Sequence, residues 1–304
     1  NRAGKFEKPM RIVVDCTNGT SSLFFPKKLR EMGLQVTTIN ETVDPSFPGH
    51  LPDPAFIAGY EGLQKKVVEV GADLGIMLDT DVDRVGFVDD RGKLWLGDMI
   101  LILLSRDYLP MSPGAKVIVE LKDSEAVVDE VTRLGGRPIF WKTGHSLLDE
   151  KVLEEKALLC GEMSCHYWIT KDWYYFDDAP LAALEVIRIV SRSGKKLSEL
   201  MEDIPQYFST PEYRIHVPSG RQKEIVEEIV SYFKEKCEKY IDIDGIRGYI
   251  GDGWFLFRSS NTEPLVVLRI EARTKNGQEK LKAIIKERLD QIPEIKLDWD
   301  VQYK

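Results

Sequence analysis

Asp79, Asp81 and Asp83 alternate along Asp79-Thr80-Asp81-Val82-Asp83-Arg84, directly after the apolar run Leu74, Ile76, Met77, Leu78. Side chains at alternate positions of an extended segment point the same way, so the spacing predicts three carboxylates on one face. Crowded carboxylates repel unless a cation sits among them, and oxygen-only donors select a hard ion: Mg²⁺ first, then manganese and calcium. Arg84 is placed to meet an anion beside that ion, and a divalent metal with an adjacent arginine is equipment for phosphate chemistry. A solvated acidic turn would account for the triplet alone. A calcium loop would not, because its sixth position needs Gly and its twelfth Glu, where Arg84 and Asp90 stand. A phosphatase with a nucleophilic aspartate usually has a hydroxyl residue where Asp83 stands.

Other stretches offer complementary chemistry. Glu162, Ser164 and His166 alternate after the apolar run Ala157 to Cys160. On an extended segment they share one face, where a carboxylate, a hydroxyl and an imidazole suit sugar hydroxyls and a proton relay. His166 is equally consistent with a structural histidine. Arg258-Ser259-Ser260-Asn261-Thr262-Glu263-Pro264 lies between two predicted strands, and its guanidinium, hydroxyls and turn amides make a phosphate cradle or a polar hairpin loop. In Trp141-Lys142-Thr143-Gly144-His145-Ser146, either Thr143 or His145 suits the cap of a following helix. The proline-rich stretch Asp44 to Pro54 reads as a fixed scaffold.

A net charge of −8 argues against nucleic acid or an anionic membrane as partner. Anionic substrates would then need local arginine and lysine clusters. The longest apolar run, Met99 to Leu104, is too short to span a bilayer, and no signal peptide is visible. Cys16, Cys160, Cys165 and Cys237 lack zinc or disulfide spacing, as expected in a reducing cytoplasm.

These residues must be positioned by ordered elements. Pro9 to Val14 and Ala115 to Val119 read as short buried strands. Each precedes a helical pattern closing on a similar phrase, Leu29-Arg30-Glu31-Met32-Gly33 and Val131-Thr132-Arg133-Leu134-Gly135, with glycines suited to helix ends and a strand beyond. The expected fold class is therefore α/β: two similar three-layer domains with mixed, mostly parallel sheets, over 1–109 and 110–207, with Pro110 to Gly114 as linker. Alternating strands and amphipathic helices in the last third predict a smaller α+β domain over 208–304. Its helices are expected near 222–240 and 278–291, and its strands near 246–250, 254–257 and 265–272.

Together and in this order, five stretches resemble the α-D-phosphohexomutase family, especially its phosphomannomutase/phosphoglucomutase branch. Asp79 to Arg84 resembles the metal loop D-G-D-G-D-R, and Gly161 to His166 the sugar loop G-E-M-S-G-H. Arg258 to Pro264 resembles the phosphate loop R-x-S-N-T-E-P; the Phe47 to Pro54 and Trp141 to His145 phrases fit as well. The resemblance implies that Asp79, Asp81 and Asp83 hold Mg²⁺, with Arg84 steadying the transferring phosphoryl group. It implies that Glu162 and Ser164 bind sugar hydroxyls and that His166 binds or relays a proton. Lys122 and His145 would line the same cleft, and Arg258, Ser260, Asn261 and Thr262 would grip the other phosphate.

The implied reaction interconverts hexose 1-phosphate and 6-phosphate of mannose or glucose, through a phosphoserine and a bisphosphate intermediate. The family's serine motif, of the type T-x-S-H-N-P, is absent from these 304 residues, and the chain begins with Asn1. The expectation is a chain resembling the second, third and fourth family domains, having lost the first and with it turnover. Alternatives are a phosphoglucosamine mutase, whose loop usually has Gln where Met163 stands, and a non-catalytic sugar-phosphate and metal-binding module. Thr80, Val82 and Cys165 replace glycines of the family motifs and are expected to stiffen or crowd their loops.

Overall fold

The structure is a computed structural model describing residue 6 and residues 8–218, 220–260 and 263–299. The chain forms two compact units, residues 1–140 with 144–204, and 141–143 with 205–304. Among the described residues, no helix is long and apolar enough to cross a membrane.

The first unit contains two sheets built on one plan. Strand β1 (Arg11–Asp15) leads through α1 (Phe25–Glu31) to β2 (Gln35–Ile39), and α2 (Glu61–Val70) leads to β3 (Leu74–Leu78), β4 (Val85–Asp89) and β5 (Leu94–Trp95). The order is β2-β1-β3-β4-β5, parallel across β2, β1 and β3, then antiparallel. Strand β3 is buried along its whole length, as its continuous apolar run requires. Val13, Leu63, Val67, Met77 and Val88 close the core beneath α2.

Helix α3 (Gly97–Tyr108) then packs on the elements of the second sheet. These are β6 (Lys116–Glu120), α4 (Glu125–Arg133), β7 (Arg137–Trp141), α5 (His145–Glu155), β8 (Leu159–Gly161) and β9 (Tyr167–Ile169), followed by α6 (Ala179–Ser193) and α7 (Leu197–Leu200). The order β7-β6-β8-β9 repeats that of the first sheet, again with an antiparallel last pair. Gly33 and Gly135, the glycines of the repeated phrase, have φ of 89° and 77° just beyond α1 and α4, where the chain must turn left-handed. The segment read as a linker begins in a 3₁₀ turn, Leu109–Met111, whose Leu109 is fully buried.

The second unit is an antiparallel sheet with helices on one face. It comprises β10 (Phe208–Ser209), β11 (Tyr213–His216), α8 (Gln222–Lys234), β12 (Lys239–Ile241), β13 (Ile246–Ile250), β14 (Gly253–Ser259), β15 (Leu265–Ala272) and α9 (Lys275–Leu289). Ile225, Ile229 and Phe233 of α8 and Leu281 and Ile285 of α9 pack on Phe255, Phe257, Leu268 and Ile270. Helix α8 stops six residues short of the sequence expectation because Lys239–Ile241 pairs with β13 as an edge strand. Helix α9 begins earlier than expected because the Thr274 hydroxyl accepts the Gly277 N–H as its cap.

Candidate functional site

The acidic triplet does not lie on an extended strand. It forms the tight connection between the antiparallel strands β3 and β4, wrapped around Asp79. Asp79 Oδ1 accepts the backbone N–H groups of Val82, Asp83 and Arg84 at 3.0, 3.2 and 3.1 Å. Its Oδ2 accepts Arg84 Nε at 2.9 Å, and Arg84 Nη1 also donates to Asp53 Oδ1 at 2.7 Å. The loop thus gathers its carboxylates by turning: one oxygen each from Asp79, Asp81 and Asp83 lie within 4.8 Å of one another. Asp83 Oδ1 is buried with no hydrogen-bond partner among the described residues, the Arg84 Nε standing 3.8 Å away. Burial, then the neighbouring Asp83 carboxylate, raises the Asp79 carboxyl. An orphaned buried oxygen among hard donors fits a small divalent cation, which would relieve that crowding.

Glu162, Ser164 and His166 likewise lie on a turn, between β8 and β9, closed by Glu162 N–H to His166 O and Cys165 N–H to Glu162 O. Ser164 Oγ donates to Glu162 Oε2 at 2.8 Å, and His166 Nε2 stands 3.8 Å from the same oxygen. Burial, then the charge of Glu120, raises the Glu162 carboxyl. Glu120 is itself wholly buried, accepting Met163 N–H at 3.2 Å and facing Lys122 Nζ at 3.2 Å, which brings Lys122 to the loop. Gly97 explains how closely α3 can approach: a Cβ there would lie 2.0 Å from Glu162 O.

The two turns are joined. Val85 N–H, at the end of the acidic loop, donates to Cys165 O at 3.0 Å. The Pro54 carbonyl accepts from Tyr60 and lies 3.7 Å from Cys165 Sγ. The proline-rich stretch is therefore a scaffold that also anchors Arg84 through Asp53. Val82 and Cys165 have φ of 70° and 75°, a region that favours glycine.

His145 joins the same cluster but does not cap its helix. Helix α5 starts at His145 behind its N-cap Gly144, whose φ of 133° sets the turn and which has no side chain to cap with. The freed imidazole instead reaches Asp177: His145 Nε2 lies 3.0 Å from Asp177 Oδ1, and His166 Nδ1 lies 2.7 Å from Asp177 Oδ2. Burial lowers His145 and the nearness of Asp177 more than offsets this, leaving it raised. Burial would raise Asp177, but its bonds to His166 and His145 hold it below the usual carboxylate range.

Asp177, Glu120 and Asp53 are organising residues that motif reading missed. Asp177 follows the aromatic run Trp173 to Phe176, and its neighbour Asp178 caps α6, accepting Leu181 N–H at 2.8 Å. An acidic pair before a helix signals a cap; nothing in the spacing says the first acid serves two histidines.

In the second unit, Arg258 of β14 is 4% exposed. Its Nε donates to Asp244 Oδ2 at 2.8 Å, leaving buried Nη2 without a hydrogen-bond partner among the described residues. Ser260 Oγ accepts Glu263 N–H at 3.2 Å. Asn261 and Thr262 lie outside the described residues.

Comparison with known proteins places the chain in a family. Residues 3–92 match phosphoglucomutase/phosphomannomutase alpha/beta/alpha domain II, 96–208 match domain III, and 212–288 match the C-terminal domain. A Pseudomonas syringae phosphomannomutase/phosphoglucomutase is 36% identical over 96% of this chain and 63% of its own length. A probable phosphoglucosamine mutase of Methanopyrus kandleri is 35% identical over 90% of this chain and 60% of its own length. The crystal structure of a Burkholderia thailandensis phosphoglucomutase/phosphomannomutase family protein superposes with a TM-score of 0.90 at 31% identity, over 96% of this chain and 63% of that one. The chain thus spans less than two thirds of each relative. Residues 3–288 are taken up in order by the second, third and fourth domains, and the chain belongs to the phosphoglucomutase/phosphomannomutase family.

Proposed function

We propose that this chain supplies the metal, sugar and phosphate-recognition parts of a phosphohexomutase that interconverts hexose 1-phosphate and 6-phosphate of glucose or mannose. The observation that carries the reading is the Val85 N–H to Cys165 O bond, which fastens an oxygen-donor cation loop to a loop bearing a buried carboxyl, a hydroxyl and an imidazole. Phosphoryl transfer depends on positioning and charge neutralisation, and both kinds of group are gathered there.

Asp79, Asp81 and Asp83 would hold Mg²⁺, which supplies charge neutralisation at the phosphoryl group. Arg84, fixed between Asp79 and Asp53, presents its guanidinium to the same group. Glu162 and Ser164 bind sugar hydroxyls. His166, oriented by Asp177, holds or passes a proton at Nε2, the nitrogen facing Glu162. His145 and Lys122 line this site. Arg258, Ser260, Asn261 and Thr262 grip the phosphate that is not being transferred, with Arg258 Nη2, which has no hydrogen-bond partner among the described residues, as a donor. The serine that carries the phosphoryl group would come from outside these 304 residues. Met163, where the glucosamine enzymes usually have Gln, favours the glucose and mannose substrates.

Conversion of glucose 1-phosphate to glucose 6-phosphate, with a bisphosphate activator, tests the reading. The 304-residue chain should be silent, and fusion at its N-terminus to a first domain of the family should give turnover. Asp81→Ala should lose Mg²⁺ binding in calorimetry. Appreciable turnover by the short chain, or equal Mg²⁺ binding by Asp81→Ala, would overturn it.

A further inference from the structure

We propose that Asp83, His145, His166 and Asp177 form a second divalent-ion site, suited to a borderline ion such as Zn²⁺ and sharing Asp83 with the acidic loop. One donor atom from each of the four lies within 4.8 Å of the others. Four-coordinate Zn²⁺ has bonds of about 2.0–2.2 Å to nitrogen and oxygen, so its ligands stand about 3.3 Å apart. Here His166 Nδ1 lies 2.7 Å from Asp177 Oδ2 and 4.0 Å from Asp83 Oδ2, and His145 Nε2 lies 3.0 Å from Asp177 Oδ1. These spacings bracket the required value.

Three features set this cluster apart from a group of surface acids. His145 Nε2 is buried and has no hydrogen-bond partner of normal geometry among the described residues, although carboxylate oxygens of Asp177 and Asp149 stand 3.0 and 3.7 Å from it. Both rings are held in place: their centroids are 4.8 Å apart, with the Trp168 ring 5.6 and 6.0 Å away, and Trp168 Nε1 is anchored to Asp149 Oδ1 at 2.6 Å. Glu162 Oε2 stands 3.8 Å behind His166 Nε2, on the far side of the ring from the donor Nδ1, the place from which a carboxylate orients a metal-bound imidazole.

Donor chemistry separates the two sites. The acidic loop offers oxygen alone and suits Mg²⁺, whereas two imidazoles and two carboxylates suit Zn²⁺, Co²⁺ or Ni²⁺. An ion in the second site occupies both histidines and ties Asp83 to them. On the proposed function it would remove His166 from proton transfer, making trace transition metals inhibitory. Only that consequence rests on the mutase reading; the binding does not.

Titration with Co²⁺ in excess Mg²⁺, followed by visible absorption, tests the binding directly. One four-coordinate Co²⁺ per chain is expected, displaced by Zn²⁺ and indifferent to added Mg²⁺. Affinity should fall about tenfold or more in each of His145→Gln and His166→Gln, and the signal should vanish in the double variant. It should persist in Asp81→Ala, which touches only the acidic loop. His50 and His216 remain in the double variant, so a surviving signal would mean adventitious binding and overturn the proposal. Displacement by Mg²⁺, loss in Asp81→Ala, or absence of a four-coordinate spectrum would also overturn it. Far-ultraviolet circular dichroism of each variant guards against unfolding, and half-exposed His145 is the substitution least able to disturb the core.

Discussion

Val82 should be a residue whose removal to glycine is less harmful than its removal to alanine. Its φ of 70° puts a β-branched side chain in the left-handed region, while its N–H is committed to Asp79 Oδ1 at 3.0 Å. Alanine and glycine both lose the isopropyl group, so its packing cancels between the two variants. A left-handed residue with a Cβ is disfavoured by about 1–2 kcal/mol. Against this, glycine costs about 0.4–1 kcal/mol more entropy on folding. The midpoints of the two ranges leave Val82→Gly more stable than Val82→Ala by about 0.8 kcal/mol, read as a shift of urea midpoint at constant slope. At an ordinary negative φ the order reverses, so Val82→Ala equal to or more stable than Val82→Gly would refute the reasoning. The cation should respond with the opposite sign. If Mg²⁺ binding orders a loop that glycine has loosened, the same entropy lowers affinity by about two- to fivefold in Val82→Gly. Calorimetry of the two variants measures this, and unchanged affinity would mean the loop is already fixed by Asp79.

Arg258→Ala should weaken glucose 1-phosphate binding by about 1.5–3 kcal/mol, the range for a charge-assisted hydrogen bond, and calorimetry showing a change within error would remove Arg258 from the phosphate cradle. Asp177→Asn should reduce stability more in acid than in base: His145 is raised in the folded chain, so its contribution is present below its ordinary value of about 6.5 and is lost as pH rises through the folded value. Urea midpoints of both proteins at about pH 5.5 and about pH 8 check this, and a gap that widens towards pH 8 would contradict it. Gly97→Ala should cost about 1–3 kcal/mol and weaken sugar-phosphate binding together, since its Cβ would sit 2.0 Å from Glu162 O. Native stability with native binding would show that α3 does not press on the sugar loop.

Much of the fold was legible because local signals agreed with it. The buried β3 run, the buried Val117 to Glu120 run of β6, and the Gly33 and Gly135 helix ends each have a local physical cause. The residues of the candidate site were legible too, but not their geometry. Alternation suggested an extended face, whereas both motifs are turns. The reason lies in hydrogen-bond accounting: Asp79 satisfies three consecutive backbone N–H groups, which an extended segment would have pointed in different directions. Asp177 and Glu120 were invisible for another reason. Their partners are 11 and 43 residues away, at His166 and Met163, and only the packed sheet sets those distances.

The internal repeat accounts for why the two chemistry-bearing turns meet. Strand order β2-β1-β3-β4 corresponds to β7-β6-β8-β9, so the β3–β4 connection and the β8–β9 connection are equivalent places in successive sheets. Each begins with a buried acid, Asp79 or Glu162, and each has a left-handed residue three positions later, Val82 or Cys165. In each sheet the parallel pairs give way to an antiparallel one at this edge, and a hairpin there can expose polar groups that a buried crossover could not. One copy turned its acid towards backbone amides beside two further carboxylates; the other turned its acid towards a serine and a histidine. The strand-edge hydrogen bond from Val85 to Cys165 then makes the acidic loop and the Glu162 loop neighbours. The two sheets share one strand-turn-strand plan, and the side chains on the turn, rather than the sheet, carry the difference.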